Sequence, residues 1–93
     1  MRFALLHSPL VGPSCWRAVA GDFAERGIWA TAPTLPAWDR LEPPYYRALA
    51  ASVAEQIALM HPVVLGVHSG AGSLAASVVA AAKGGVSQVI FVD

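Results

Sequence analysis

The sequence predicts an α/β fold: a small parallel sheet of about four strands, in the order 2-1-3-4, with helices on both faces. Three observations predict it. Apolar strand-like runs alternate with segments of helical spacing along the chain. The strand-like runs are continuously apolar, as expected of strands covered on both sides. Clusters of Gly and Pro separate one kind of segment from the other.

Arg2–Leu6 reads as the first strand, followed by a loop from His7 to Pro13. Ser14 is positioned to cap a helix over Cys15–Arg26, with Gly27 as its stop. Trp16, Val19, Ala20 and Phe23 share one face of that helix. Ile28–Ala32 is the second strand. Pro33, Pro36, Pro43 and Pro44 then mark a long loop over 33–44. Pro44 opens a second helix over Tyr45–Leu59, since proline is tolerated in a first turn. Pro62–His68 is the third strand. The third helix starts at Gly70 or Gly72 and runs to Lys83, and Gly84-Gly85 closes it. Val86–Val92 is the fourth strand.

The 93 residues form one domain, 56% hydrophobic and only 13% charged. So apolar a surface on so small a domain points to a neighbour, either a partner chain or missing sequence. Six basic and six acidic residues cancel and form no basic stripe, so nucleic-acid binding has no electrostatic support. The single cysteine, Cys15, rules out an internal disulfide or a cysteine-based metal site and suits a reducing cytoplasm. Cys15 itself reads as an inert buried residue. Val63–Ala82 is twenty mostly apolar residues, but Gly66, His68, Ser69, Gly70, Gly72, Ser73 and Ser77 interrupt it. It reads as strand, turn and helix, with no membrane span. No metal or organic cofactor is implied.

Right-handed crossovers bring the carboxyl ends of parallel strands to one edge of the sheet, where ligands bind. His7-Ser8, Pro33-Thr34, Ser69 and Asp93 all fall at such ends. Of these, Ser69 carries the most chemistry. It ends an apolar strand, small residues follow it, and a helix begins at once. A strand aims the hydroxyl, a tight turn exposes it, and free N–H groups at the helix start face developing negative charge. Gly70 supplies the first of those N–H groups. The plainer reading is a serine that only caps the helix.

The loop His7-Ser8-Pro9-Leu10-Val11-Gly12-Pro13-Ser14-Cys15-Trp16 resembles the His-Gly…Gly…Trp segment of the α/β-hydrolase superfamily, in its esterase and hydroxynitrile-lyase-like branch. There the first-strand loop supplies an oxyanion donor and a tryptophan opens the next helix. Gly27-Ile28-Trp29-Ala30-Thr31-Ala32-Pro33-Thr34-Leu35-Pro36 is similar to the family's second crossover strand and its exit. Val67-His68-Ser69-Gly70-Ala71-Gly72 is similar to its nucleophile elbow, and Val89-Ile90-Phe91-Val92-Asp93 to the strand that follows. The resemblance implies serine-dependent hydrolysis of a small ester or related carbonyl substrate. Ser69 is then the nucleophile, Gly70 N–H the first oxyanion donor, and the Ser8 hydroxyl or Leu10 N–H the second. His7, Trp38 and Tyr45 are pocket candidates, with Tyr46 beside them.

The chain departs from the family pattern in ways that matter. Val67 and Ala71 stand where glycine is usual around the serine, and Ser8 stands where glycine is usual in the loop. Pro9 occupies the position that normally donates an amide, and proline has none. The family's catalytic acid and histidine come from strands beyond the last one here. His68 adjoins the serine on the strand and points to the opposite face. His61 lies ~20 Å away along the strand, and His7 suits a structural bond to the loop backbone. Asp93 sits where some members place the acid. The chain is therefore expected to be the N-terminal part of a hydrolase domain, a truncated product or one piece of a split protein, with little activity alone. The edge of strand 86–93 is where a further strand, a complementing chain or a second copy would pair.

Two other readings compete. Gly70-Ala71-Gly72-Ser73-Leu74-Ala75 fits a dinucleotide-binding turn with Asp93 as the ribose acid, but two strand–helix units precede it. The other is a non-catalytic domain that dimerises or docks through its apolar edge.

Overall fold

The structure, a computed structural model, describes residues 1–37 and 43–92. Its strands are β1 (Arg2–Leu6), β2 (Trp29–Thr31), β3 (Val63–His68) and β4 (Val86–Val92). The helices are α1 (Arg17–Glu25), α2 (Tyr45–Ile57) and α3 (Ala75–Ala81). All strand pairs are parallel, in the order β2-β1-β3-β4, as the sequence predicts.

The alternation of side chains along the strands decides what covers each face. Ala4 and Leu6 of β1 and Val63, Leu65 and Val67 of β3 point to one side. There they meet Leu49, Ala50, Val53 and Ile57 of α2 and Ala75 and Val78 of α3. The α2 contacts recur at i, i+1, i+4 and i+8, the spacing of one helical stripe. This is the hydrophobic core. On the opposite face Phe3 packs against Phe23 of α1, ring centroids 5.0 Å apart. Two helices cover one face, therefore, and one helix covers part of the other.

Several element boundaries differ from expectation. Ser14 does not cap the first helix. The chain enters through a 3-10 turn over Pro13–Trp16, with Gly12 at the cap and no side-chain capping bond. That turn buries Trp16 and leaves Cys15 exposed, so the expected burial of Cys15 is corrected. β2 is shorter than the expected Ile28–Ala32. Gly27, at φ +73°, reverses the chain, and the Ile28 amide still bonds the Phe23 carbonyl at 2.9 Å. The third helix begins as a 3-10 segment over Ser69–Leu74 and becomes α-helical only at Ala75. Lys83 and Gly84, both at positive φ, close it. The expected tail of the second helix is also a 3-10 turn, Ala58–Met60.

Candidate active site

Pairing of Leu6 with Val67 sets the site, because the loop after β1 and the turn after β3 leave the sheet side by side. β3 ends at His68, and Ser69 follows with φ +52°. That is the left-handed region, uncommon for any residue with a Cβ. The backbone turns sharply there, and Ser69 stands exposed at the start of the 3-10 segment. The N–H groups of that first turn lack partners within it. Ser73 Oγ donates to the Gly70 carbonyl at 2.9 Å and braces the turn from behind.

Gly70 is glycine because of its neighbour. A Cβ built there would lie 3.2 Å from Ser8 Oγ and 3.5 Å from Pro9 Cδ. The two loops therefore touch, with Ser8 and Pro9 against the backbone of Gly70. Ser8 is buried, and its Oγ accepts the Leu10 N–H at 3.2 Å. The two expected alternatives for a second donor are thus parts of one bond. Leu10 N–H is spent on Ser8, which leaves the Ser8 hydroxyl proton free to donate. The Leu10 side chain points into solvent.

His7 is buried and fully engaged. Its Nε2 accepts the Leu35 amide at 3.1 Å. The proton therefore sits on Nδ1, which donates to the Ser8 carbonyl at 2.7 Å. The ring ties the loop after β1 to the loop after β2. Gln56, which the sequence reading passed over, makes a parallel tie. Its side-chain amide accepts from Thr34 N at 2.9 Å and donates to Thr34 O at 2.8 Å. A polar residue on a helix gives no signal of that role in one sequence.

Val67, where glycine is usual two residues before Ser69, turns its side chain into the core and is fully buried there. Gly66 lies on the other face, against Leu5. His68 packs edge-on to Trp16 at 6.0 Å. Its Nδ1 and the Trp16 Nε1 are buried without hydrogen-bond partners. Tyr45 is the first residue of α2 and partly exposed. Trp38 and Asp93 lie outside the described residues. A cavity of about 450 Å³ lies away from Ser69, between α2 and the end of α3, lined by Ala51, Ala54, Ala58, His61 and Lys83 among others. Among the described residues no three His, Cys, Asp or Glu side chains form a metal-binding group. No described helix is long and apolar enough to cross a membrane.

The Gly70–Ala75 turn follows the third strand, not the first as in the dinucleotide fingerprint. Phe91 also lies against Gly72, 3.4 Å from where a Cβ would sit, on the backbone that a pyrophosphate would have to approach.

No family model matches the sequence, and no curated protein matches it at the level of sequence. Among solved structures the chain is similar to an extracellular α/β-hydrolase from a Paenibacillus species. That protein is described as sharing structural and functional homology with tobacco salicylic acid binding protein 2. The TM-score is 0.83 at 19% sequence identity. The likeness covers 98% of this chain and 39% of that one. The chain thus has the fold of part of an α/β-hydrolase, consistent with the N-terminal portion.

Proposed function

We propose that this chain is the nucleophile-bearing part of a serine hydrolase acting on a small ester or related carbonyl substrate. The observation that carries the reading is Ser69 at φ +52°, exposed between a strand end and a helix start. Backbone in so sparsely populated a region clusters at functional sites; Lys83 shares the angle only as a helix stop, whereas at Ser69 it coincides with a hydroxyl at the carboxyl edge of the sheet.

In this reading Ser69 Oγ attacks the carbonyl carbon and its proton passes to a base. The oxygen that gains charge receives the Gly70 N–H and the Ser8 O–H. The C–O bond to the leaving group then breaks, the alcohol departs with the proton the base took from Ser69, and water attacks the acyl-serine to release the acid and restore the hydroxyl. The histidines of this chain do not suit the base. His7 has both nitrogens engaged, His68 faces Trp16, and His61 precedes β3 by two residues, ~20 Å from Ser69. The acid and base belong to a further segment, so the chain alone leaves Ser69 a poor nucleophile. The chemistry needs no metal or organic cofactor. The lone exposed thiol of Cys15 fits a cytoplasmic setting, although the structural neighbour is extracellular.

The test is a fluorophosphonate probe followed by peptide mass spectrometry, beside turnover of a p-nitrophenyl ester. Slow labelling confined to Ser69, with turnover near background, is expected. An adduct on another residue while Ser69 stays unmodified rejects Ser69. Sustained turnover abolished by Ser69→Ala rejects the claim that the machinery is incomplete.

A further inference from the structure

Gln56 lies in the last turn of α2 and is exposed, yet its whole side-chain amide is engaged. Oε1 accepts the Thr34 amide at 2.9 Å. Nε2 donates to the Thr34 carbonyl at 2.8 Å and to Ser52 Oγ at 3.2 Å. A side chain that faces both the N–H and the C=O of one residue copies the pairing that one strand offers another. β2 pairs with β1 only as far as Thr31, and Gln56 takes up the pairing three residues later. A carboxylate has no donor for this arrangement, and an ammonium has no acceptor.

The Thr34 carbonyl and the Leu35 N–H are the two ends of one planar peptide unit. Gln56 Nε2 grips one end, and His7 Nε2 accepts from the other at 3.1 Å. The direction of the Leu35 N–H is therefore set by Gln56. A neutral imidazole has one donor and one acceptor, so an N–H aimed at Nε2 confines the ring proton to Nδ1. Nδ1 then donates to the Ser8 carbonyl at 2.7 Å. That carbonyl also accepts the Val11 N–H at 3.1 Å, and Ser8 Oγ accepts the Leu10 N–H. The buried Ser8 hydroxyl takes its direction from this turn.

We infer that Gln56 is a positioning residue for the Ser8 hydroxyl, acting through the Thr34–Leu35 peptide and the His7 ring. Its bearing on chemistry rests on reading Ser8 as an oxyanion donor. Without the Gln56 amide the peptide plane is free to turn, and the Leu35 N–H leaves Nε2. The ring proton is then no longer confined to Nδ1, the Ser8 carbonyl loses a donor, and the turn that aims the hydroxyl loosens. Exposed hydrogen bonds add little to stability, because water replaces them. A donor misplaced by ~1 Å, by contrast, can cost ~10²-fold in rate. That contrast separates a positioning role from a merely structural one.

Nitrogen-15 NMR of the chain tests it, as wild type, Gln56→Ala and Gln56→Glu, with Glu55→Gln as an exposed control on the same helix. Gln56→Glu keeps the acceptor and loses both donors. In the wild type His7 should be the Nδ1–H tautomer alone. Both Gln56 variants should lose that single-tautomer signature and move the Leu10 amide resonance, with urea midpoints near wild type. Glu55→Gln should change neither. Fluorophosphonate labelling of Ser69 should slow by at least ~5-fold in both Gln56 variants. A His7 tautomer or a Leu10 resonance that ignores Gln56 overturns the inference, and so does an unchanged labelling rate. Resonances that move only with a large fall in the urea midpoint overturn it too, because Gln56 would then hold the fold and not the hydroxyl. An adduct on another residue while Ser69 stays unmodified rejects the serine alone. In that case, or with no adduct at all, the two resonances decide whether Gln56 sets Ser8.

Discussion

His7 and Leu35 are 28 residues apart, yet the imidazole Nε2 of one accepts the amide of the other at 3.1 Å. With Nδ1 bonded to the Ser8 carbonyl, the ring joins two loops at the carboxyl edge of the sheet. A histidine beside a candidate nucleophile invites a catalytic reading, and this bonding makes it a strut.

His7→Ala leaves the part-buried Leu35 amide without its partner and the Ser8 carbonyl with the Val11 amide alone. The expected cost is about 1–3 kcal/mol in urea unfolding. Loss of Ser69 labelling at unchanged stability would instead mark His7 as the base.

Ser69 and Lys83 are the described non-glycine residues at positive φ, 52° and 51°. Glycine at either position relieves the Cβ conflict, and each substitution should stabilise the fold by about 0.5–1 kcal/mol. Ser69→Val should lower stability by more than that. Only changes at Ser69 should abolish fluorophosphonate labelling. Thermal melts and labelling of all three variants separate the effects.

Ser8→Ala removes the acceptor of Leu10 N–H and the proposed hydroxyl donor together. Stability should fall by about 0.5–1.5 kcal/mol. Where hydrolysis is assayed with the complementing segment present, the rate should fall ~10²–10³-fold. An unchanged rate would leave the second donor to another group.

Gly85 lies against the His61 ring so closely that a Cβ would overlap it. Gly85→Ala should cost about 1–3 kcal/mol by overpacking. Combining it with His61→Ala should recover much of that loss, a coupling a double-mutant cycle reads directly.

Much of the frame was legible in the sequence because it rests on long apolar runs. The parallel pairing follows from alternation of such runs with helical stripes, and the turn after β3 from the small residues that end the third run. The boundaries were less legible. Ser14 looks like a cap, but Pro13 starts a tighter turn one residue earlier and rotates Cys15 outward. Likewise Gly70 and Gly72 look like an α-helix start, whereas the chain stays in 3-10 geometry until Ala75. Such choices depend on packing of Trp16 and of Ala71 and Leu74 against the sheet, which local propensity does not encode. At the site, the serine was visible from its neighbours. The partners of His7, Ser8 and Gln56 were not, because those bonds join segments distant in sequence or depend on which of two donors is already used.

The left-handed serine has a bearing on how such a chain would drift. Exchange to glycine at residue 69 is downhill in free energy, so nothing in the fold itself opposes it. On the proposed function, selection for acyl chemistry is what would hold the hydroxyl in place, and a lineage released from that demand should lose its serine early while keeping the sheet intact.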